Sequence, residues 1–480
     1  MKPYSDLTRD VDASRGGPST AAFFDFDGTL LAGFSVFFFL YRRYLKGRVS
    51  AGEAIDQLLA IAEFGLRRLD FEGVLDQFTL AMAGQSDEEM WKLADEVFRK
   101  DLAGRLYPET RALLKAHQDK GHTVVLLSSA TQYQLAFVAE ELGVEHVLCT
   151  RLEVEDGLLT GYMEGPACYG EEKFRAAHNF ARTHRISLKR SWFYSDGAED
   201  IPLLETVGHP RLLNPDKKLT ALAQDRDWPI QHFESRGPTR LSDVIRTGLV
   251  YGSFIPSFLV GAPAWLLNRS RRDVINLGLS IWADFGSAVA GLDVRVSGEE
   301  HLWAHRPAVF IFNHQSATDV LILARLLRQD YTGMTKKEMK NNPFLGPALQ
   351  FADAVFIDRQ GKTDPAEVAK PALDKLAAGL SIAIAPEGHR SAGYKLGPFK
   401  KGAFHIAMQA GVPIVPIVIA NSSDSLPRAA VLIRPAAIQV KILEPIPTSS
   451  WDASKMDQHV QNCRELFLRE LGQPGHSDKK

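Results

Sequence analysis

The sequence predicts two α/β units in one 480-residue chain, with a helical hairpin between them. Three observations predict this. The chain is longer than a single hydrophobic core ordinarily organises. Strand-like apolar runs alternate with helical stretches twice, up to about residue 228 and again from residue 293, which is the signature of parallel sheets with crossover helices. Between the two blocks lies a run of about twenty residues without a charge, near the length of a bilayer core. Composition supports ordinary globular units: 45% hydrophobic and 24% charged residues. A net charge of −2 leaves no global basic field for nucleic acid.

Each element follows in order. Residues 1–20 are polar, lack the apolar core of a secretory signal and read as a disordered lead. Residues 21–228 form the first unit, a doubly wound parallel sheet opened by the strand Ala21 to Asp25. Residues from about 34 to 106 repeat apolar positions at i, i+3, i+4 and i+7 in "AIDQLLAIAEFGLRRL" and "EEMWKLADEVFRKDL", so they read as a helical cap inserted after that strand. "HTVVLLSSA", "HVLCTRLEV" and "SWFYSD" are further strands, a helix ends at Gly143, and "EDGLLTG" carries an Asp-Gly hairpin turn. Residues 229–246 contain Pro, Gly and charges and read as a linker. Residues 247–292 read as the hairpin: "TGLVYGSFIPSFLVGAPAWLL", then "RSRR", then a second helical stretch interrupted by Asp284. Arginines beside an apolar run suit lipid headgroups, so the hairpin is expected in or on the cytoplasmic face of the cell membrane. Two buried helices of a soluble domain are the alternative. Residues 293–470 form the second α/β unit, and 471–480 a frayed tail. Cys149, Cys168 and Cys463 have neither metal-ligand spacing nor a disulfide framework, which suits a reducing compartment.

The first unit carries chemistry at its strand ends. Asp25 and Asp27 lie two apart just past a buried strand, with Gly28 and Thr29 behind them. One carboxylate can attack phosphorus while its neighbour protonates the leaving oxygen. Ser128 ends "VVLLS", Lys173 opens the helix "GEEKFRAAHNFA", and Asp196 and Asp200 lie in "FYSDGAEDIPLL". These four blocks, over about residues 21–228, resemble those of the haloacid dehalogenase superfamily, nearest its phosphoserine-phosphatase-like branch. The resemblance implies Asp25 as nucleophile, Asp27 as acid/base, and Ser128 and Lys173 as phosphoryl anchors. It implies Mg²⁺ held within the set Asp25, Asp27, Asp196 and Asp200, with Asp200 supporting the metal or orienting Lys173. One departure bears on substrate. Phosphoserine phosphatases carry an acid just after the nucleophile motif, whereas "LLAGFSVFFFLYRRY" has none until Glu53. Its phenylalanines, flanked by Arg42 and Arg43, suit acyl chains and phosphate headgroups, or they pack the cap's own core.

In the second unit, "NHQSATD" places His314 and Asp319 five apart after the strand "AVFIF". If a helix begins near Gln315, Asp319 folds back toward the imidazole, orients it and stabilises its protonated form. His314 is then a general base for a hydroxyl. Downstream come Lys336 and Lys337, Arg359 in "VFIDR", and Glu387, Gly388 and Arg390 in "APEGHRS". "VPIVPI" follows with Pro413 and Pro416. Over about residues 291–446 this set resembles the glycerophospholipid acyltransferases, specifically those acting on lysophosphatidate. The resemblance implies His314 as base with Asp319 as partner and Glu387 completing the site. It places Gly388, Arg359, Arg390 and one of Lys336 and Lys337 at the acceptor phosphate, which suits the fork of arginine. His389 stands where that family usually has a small Thr.

Together the resemblances imply two enzymes on one chain: an acyltransferase making phosphatidate from lysophosphatidate and an acyl thioester of CoA or acyl-carrier protein, and a Mg²⁺-dependent phosphatase. A lipid phosphate is the expected phosphatase substrate. A soluble metabolite such as phosphoserine, or one non-catalytic regulatory half, are the alternatives.

Overall fold

A computed structural model describes residues 4–48, 52, 75, 78–341, 346–357 and 365–474. The chain divides into two compact units, residues 1–238 and 239–480.

The first unit is built on a six-stranded sheet of order β3-β2-β1-β6-β7-β8, in which every pairing is parallel. Its strands are β1 (Ala21–Phe24), β2 (Thr123–Thr131), β3 (His146–Thr150), β6 (Trp192–Ser195), β7 (His209–Leu213) and β8 (Ile230–Gln231). A parallel sheet is covered on both faces, so its central strand can be apolar throughout. β1 shows the consequence. Ala22 and Phe24 enter one hydrophobic cluster while Ala21 and Phe23 enter the other. β4 (Leu152–Glu155) and β5 (Leu158–Met163) form the expected hairpin, and Asp156 and Gly157 turn it with φ of 49° and 77°.

Two expectations change here. Residues 1–20 hold a helix, Ser5–Ala13, with Thr8 and Val11 buried. Asp10 pairs with Arg211 and Lys120 donates to the Asp12 carbonyl. The partners of this segment lie one to two hundred residues away, beyond the reach of local pattern. Residues 229–246 hold the edge strand β8 and the start of a helix, Leu241–Gly252. The cap is described in part, as helices Ser35–Leu45 and Asp87–Val97. The expected helix over "AIDQLLAIAEFGLRRL" lies outside the described residues.

The second unit holds a seven-stranded sheet of order β12-β11-β13-β10-β14-β15-β9. Its strands are β9 (Leu292–Ser297), β10 (Val309–Phe312), β11 (Tyr331–Lys336), β12 (Val355–Ile357), β13 (Ser381–Ile384), β14 (Ile414–Ile419) and β15 (Ala436–Ile442). Only β14 with β15 is antiparallel. Phe310 and Phe312 pack on one face, Val309 and Ile311 on the other.

Ahead of this sheet the apolar run is not one helix. It breaks into Leu241–Gly252, Phe254–Val260 and Ala262–Asn268, followed by a 20-residue helix, Arg271–Ala290. Pro256 and Pro263 sit at the starts of the short pieces, where a missing N–H is tolerated. The pieces pack closely on the long helix. A Cβ on Gly278 would collide with the Phe258 ring, and the Trp282 indole N–H donates to the Val250 carbonyl at 3.0 Å. Asp284 pairs with Arg328 at 2.7 Å. Among the described residues no single helix is long and apolar enough to cross a membrane. Leu241–Gly252 with Phe254–Leu267 reaches that length and apolarity only as a pair bent by 43°.

Candidate active sites

In the first unit the carboxyl ends of β1, β2 and β6 converge, as parallel sheets require of their ligand crevices. Asp25 follows β1, and its N–H donates to the Tyr194 carbonyl of β6. Lys173, from the first turn of the helix Gly170–Thr183, is fully inside. Its Nζ donates to Asp25 Oδ1 and to Asp200 Oδ2, both at 2.8 Å. Ser195 Oγ donates to the same Asp200 oxygen at 2.6 Å. Thr29 Oγ1 donates to Asp196 Oδ1 at 2.9 Å. Gly28, at φ 81°, lies so close to Asp196 that a Cβ would collide with the carboxylate. Ser128 is buried in the second half of β2 and its Oγ accepts from Ala130 N.

Asp27 is held differently. Ser35 N and Ser35 Oγ donate to its two oxygens at 2.7 and 3.0 Å. Gln134 Nε2 donates to Ser35 Oγ at 2.7 Å, and Thr131 in turn holds the Gln134 carbonyl. The chain Gln134–Ser35–Asp27 thus ties the acid to the first residue of the cap helix. Sequence reading missed Ser35, Gln134 and Glu199 and gave Thr29 no role, because single polar residues without a repeating spacing give no signal.

Burial and crowding perturb these groups. Asp27 is pushed up to about 7, chiefly by desolvation, with the Ser35 amide opposing. Desolvation raises Asp25 as well, with Lys173 opposing. Burial raises Asp196 well above the carboxylate range, and the charge of Asp25 adds to it. Glu199 is pushed up to about 6 by burial and then by Asp200. Lys173 is driven upward by Asp200 and Asp25 against its desolvation. One lysine faces five carboxyl groups. Asp200 Oδ1 is buried without a hydrogen bond. This excess negative charge is what a cation relieves.

Among the described residues no three His, Cys, Asp or Glu side chains form a metal cage. Mg²⁺ needs no such cage, since one or two carboxylates, waters and the substrate phosphate suffice. Asp25 and Asp196 fit that role. Both side-chain oxygens of Asp27 accept from Ser35, whereas Asp200 keeps Oδ1 without a hydrogen bond.

These carboxylates open into a cavity of about 540 Å³. Phe34, Val36, Phe37, Phe39, Leu40 and Arg43 line it from the cap side, five apolar residues and one cation. Phe38 does not line it. Its ring packs under the Arg105 guanidinium, 4.7 Å away.

In the second unit His314 follows β10. Asn313 fixes the exit of the strand by exchanging two hydrogen bonds with the Ile419 backbone, at 2.7 and 2.8 Å. His314 Nδ1–H donates to Asp319 Oδ2 at 2.7 Å. The same oxygen accepts from Gln315 N and Ser316 N, each at 2.9 Å. The helix begins at Thr318 rather than near Gln315, so Asp319 sits in its first turn and gathers the preceding loop around one oxygen. Asp319 is fully buried while the imidazole is 22% exposed. With Nδ1 engaged, Nε2 is the nitrogen left for a substrate.

Glu387 lies after β13 and is buried. Oε1 accepts from His314 N at 2.9 Å. Oε2 accepts from Ser391 Oγ at 2.8 Å and Gly397 N at 2.9 Å. Ser391 N closes the ring by donating to the His314 carbonyl at 2.8 Å. Both oxygens are spent on the protein, so Glu387 acts as a clasp on the His314 loop. Arg390 is half-buried on the same loop, and its charge reaches Tyr251. Lys336 and Lys337 are exposed at the end of β11. Arg359 lies outside the described residues.

A family profile for haloacid dehalogenase-like hydrolases matches residues 22–205, and one for acyltransferases matches residues 293–420. An "Inhibition of morphological differentiation protein" of Streptomyces azureus is 31% identical over 269 residues, 54% of this chain and 96% of the relative. A phosphoserine phosphatase of Mycobacterium tuberculosis is 33% identical over 220 residues, 45% of this chain and 71% of the relative. A 1-acyl-sn-glycerol-3-phosphate acyltransferase of Saccharomyces cerevisiae is 36% identical over 191 residues, 39% of this chain. The chain spans 62% of that acyltransferase's length.

Proposed function

We propose a two-enzyme protein, starting from its membership: the N-terminal unit belongs to the haloacid dehalogenase-like hydrolases and the C-terminal unit is an acyltransferase domain. The C-terminal unit transfers an acyl group from a CoA or carrier-protein thioester to 1-acyl-glycerol 3-phosphate, giving phosphatidate. The observation that carries this is His314, with Nδ1 pinned on buried Asp319 and Nε2 left free. His314 Nε2 takes the proton of the acceptor hydroxyl, whose oxygen attacks the thioester carbon. The C–S bond breaks, and the imidazolium returns its proton to the departing sulfur. Asp319 stabilises the imidazolium meanwhile. Glu387 positions the loop without touching substrate.

The N-terminal unit hydrolyses a phosphomonoester with an apolar leaving group, a lipid phosphate. Its support is the phenylalanine-lined cavity that ends at Asp25 and Lys173. An Asp25 oxygen attacks phosphorus, and the ester P–O bond breaks as Asp27 gives its proton to the leaving alcohol oxygen. Water then attacks the aspartyl-phosphate, Asp27 takes a proton from it, and phosphate departs. An Asp27 near 7 is suited to both transfers. Lys173 and Ser128 hold the phosphoryl oxygens. Asp25 and Asp196 would hold Mg²⁺, which would supply positive charge against the transferring group.

The protein works at the cytoplasmic face of the membrane. The helix Leu241–Gly252 buries Asp243, Thr247 and Val250 and turns Leu241, Ile245 and Leu249 outward, the reverse of a soluble amphipathic helix. The exposed stripe continues through Ile255, Leu259, Val260, Leu266 and Leu267, with the Arg269 guanidinium 4.4 Å over the Trp265 ring. Patches of that kind mark lipid or protein contacts, and an Arg–Trp pair suits the headgroup layer.

The deciding experiment gives purified protein an oleoyl thioester with lysophosphatidate, and separately lysophosphatidate, phosphatidate and phosphoserine alone. Acyl transfer together with phosphate release from lipid is expected. Preference for phosphoserine would overturn the lipid reading of the N-terminal site.

A further inference from the structure

We infer that Lys400 is a cation of the acceptor-phosphate subsite, working beside Arg390. This rests on the acyltransferase reading above. Lys400 lies ten residues past Arg390, just before the helix Gly402–Ala410, yet the fold returns it to the loop that carries Arg390. Its N–H donates to the Pro386 carbonyl at 2.8 Å, which sets the start of its side chain against the strand exit. The side chain then runs over Gly388. Atoms Cδ, Cε and Nζ all lie 3.0–3.2 Å from where a Cβ on Gly388 would stand. Gly388 also has φ 79°, a left-handed conformation that side chains disfavour. The glycine thus does two things. It makes the turn, and it leaves the room in which a lysine stem lies flat with its ammonium beside the loop.

Charge accounting supports a ligand there. The adjacent Lys401 is neutralised by Asp457 at 2.8 Å. Among the described residues neither Lys400 nor Arg390 is paired with a carboxylate, and Glu387 beneath them is committed to His314, Ser391 and Gly397. Two unpaired cations on one loop, one of them half-buried, form a site for a phosphomonoester, which carries about −1.5 to −2 at neutral pH. Guanidinium supplies the planar fork, and ammonium a point charge that tolerates a range of directions. The loop is joined to His314 at both its backbone N–H, through Glu387, and its carbonyl, through Ser391. A phosphate anchored on these cations is therefore held relative to the base. Pattern reading passed over Lys400 because it sits in "FKKG", where two lysines before a helix read as solvated surface.

The test is steady-state acyl transfer by the full-length protein in detergent micelles, with Lys400→Ala, Lys400→Arg and His314→Ala. Lys400→Ala should raise KM for lysophosphatidate about tenfold, leave kcat within a factor of two or three, leave KM for the acyl thioester unchanged and leave Tm unchanged. Lys400→Arg should restore most of the affinity. Added inorganic phosphate should inhibit wild type more strongly than Lys400→Ala, in competition with lysophosphatidate. An unchanged KM in Lys400→Ala, or a loss confined to kcat, overturns the inference while leaving the acyltransferase reading in place. Full acyl transfer by His314→Ala overturns that reading itself.

Discussion

The two candidate sites solve the problem of an activated group in opposite ways. In the N-terminal site charges are packed against charges: Asp25, Asp27, Asp196, Glu199 and Asp200 share one buried ammonium, and burial lifts Asp27 to about 7 and Glu199 to about 6. In the C-terminal site one imidazole is held by a buried carboxylate whose charge is spread over backbone N–H groups. Phosphoryl transfer has charge distributed over several oxygens, so a dense electrostatic cradle lowers its barrier. Acyl transfer to a hydroxyl needs one proton moved at one place. It is served by orientation rather than by net charge.

The contrast is broken most sharply by removing each reacting group. Asp25→Asn should abolish phosphate release and leave acyl transfer intact, while His314→Ala should do the reverse, with a loss of about 10²- to 10⁴-fold. Parallel assays of both activities on both variants measure this. A phosphoenzyme trapped on any other residue would refute the Asp25 assignment. Chelation should divide the sites in the same direction. Removing Mg²⁺ should stop phosphate release and spare acyl transfer, because among the described residues the C-terminal site holds no comparable excess of carboxylates.

A smaller effect separates touching from positioning. Glu387→Gln keeps size but replaces one acceptor oxygen with a donor, so at least one of three hydrogen bonds from His314, Ser391 and Gly397 is lost. Each buried bond of this kind contributes about 1–3 kcal/mol. Acyl transfer should fall roughly tenfold to a hundredfold with a lowered Tm, and the pH–rate profile should keep its shape because His314 remains the base. A variant that loses activity with an unmoved Tm and an altered profile would make Glu387 a proton-transfer group instead.

The substrate claim for the N-terminal site is milder still. Phe34 and Phe37 meet edge to face at 6.2 Å, are substantially exposed and line the cavity mouth. Replacing both with Ala should lower kcat/KM for phosphatidate or lysophosphatidate about tenfold, as two lost apolar contacts predict, and leave turnover of a short phosphomonoester unchanged. Equal loss on both substrates would assign the rings to the cap's fold.

What could be read from sequence divides along the same line. Asp25, Asp196 and His314 just past strands, and Lys173 and Asp319 in the first turns of helices, declare themselves because the expected chemistry demands those residue types at such positions. The groups that hold them do not. Ser35 holds Asp27 from eight residues away, Gln134 holds Ser35 from 99 residues away, and Lys400 depends on a glycine's missing Cβ. The parallel sheets were legible from apolar runs buried on both faces. The lead helix was not, since polar residues such as Asp10 are fixed by distant Arg211. Nor was the edge strand β8, which is two residues long.

The last contrast concerns acid. In the N-terminal unit His117 is fully buried. Its Nδ1 lies 2.8 Å from His122 Nδ1 and its Nε2 lies 2.9 Å from the Tyr194 hydroxyl. Trp192 stacks between His122 and His209, with ring planes 23° and 15° from parallel. Desolvation first, and then the charges of His122, His209 and Arg211, drive His117 well below the ordinary histidine value, and desolvation depresses His122 and His209 as well. A histidine depressed in the folded state binds its proton more readily when unfolded. Its contribution to stability is therefore complete above the unfolded value near 6.5 and is lost as pH falls below it. Each such group adds a slope of up to about 1.4 kcal/mol per pH unit. The C-terminal core has no equivalent cluster among the described residues. Hydrogen exchange on the full chain should show β1 and β6 losing protection between pH 6.5 and 5 while β10 and β14 hold theirs. His117→Gln should lower protection at pH 7.5 but flatten that pH dependence. If β1 and β10 soften together over this range, or if the substitution leaves the slope intact, the acid sensitivity does not originate in the histidine cluster.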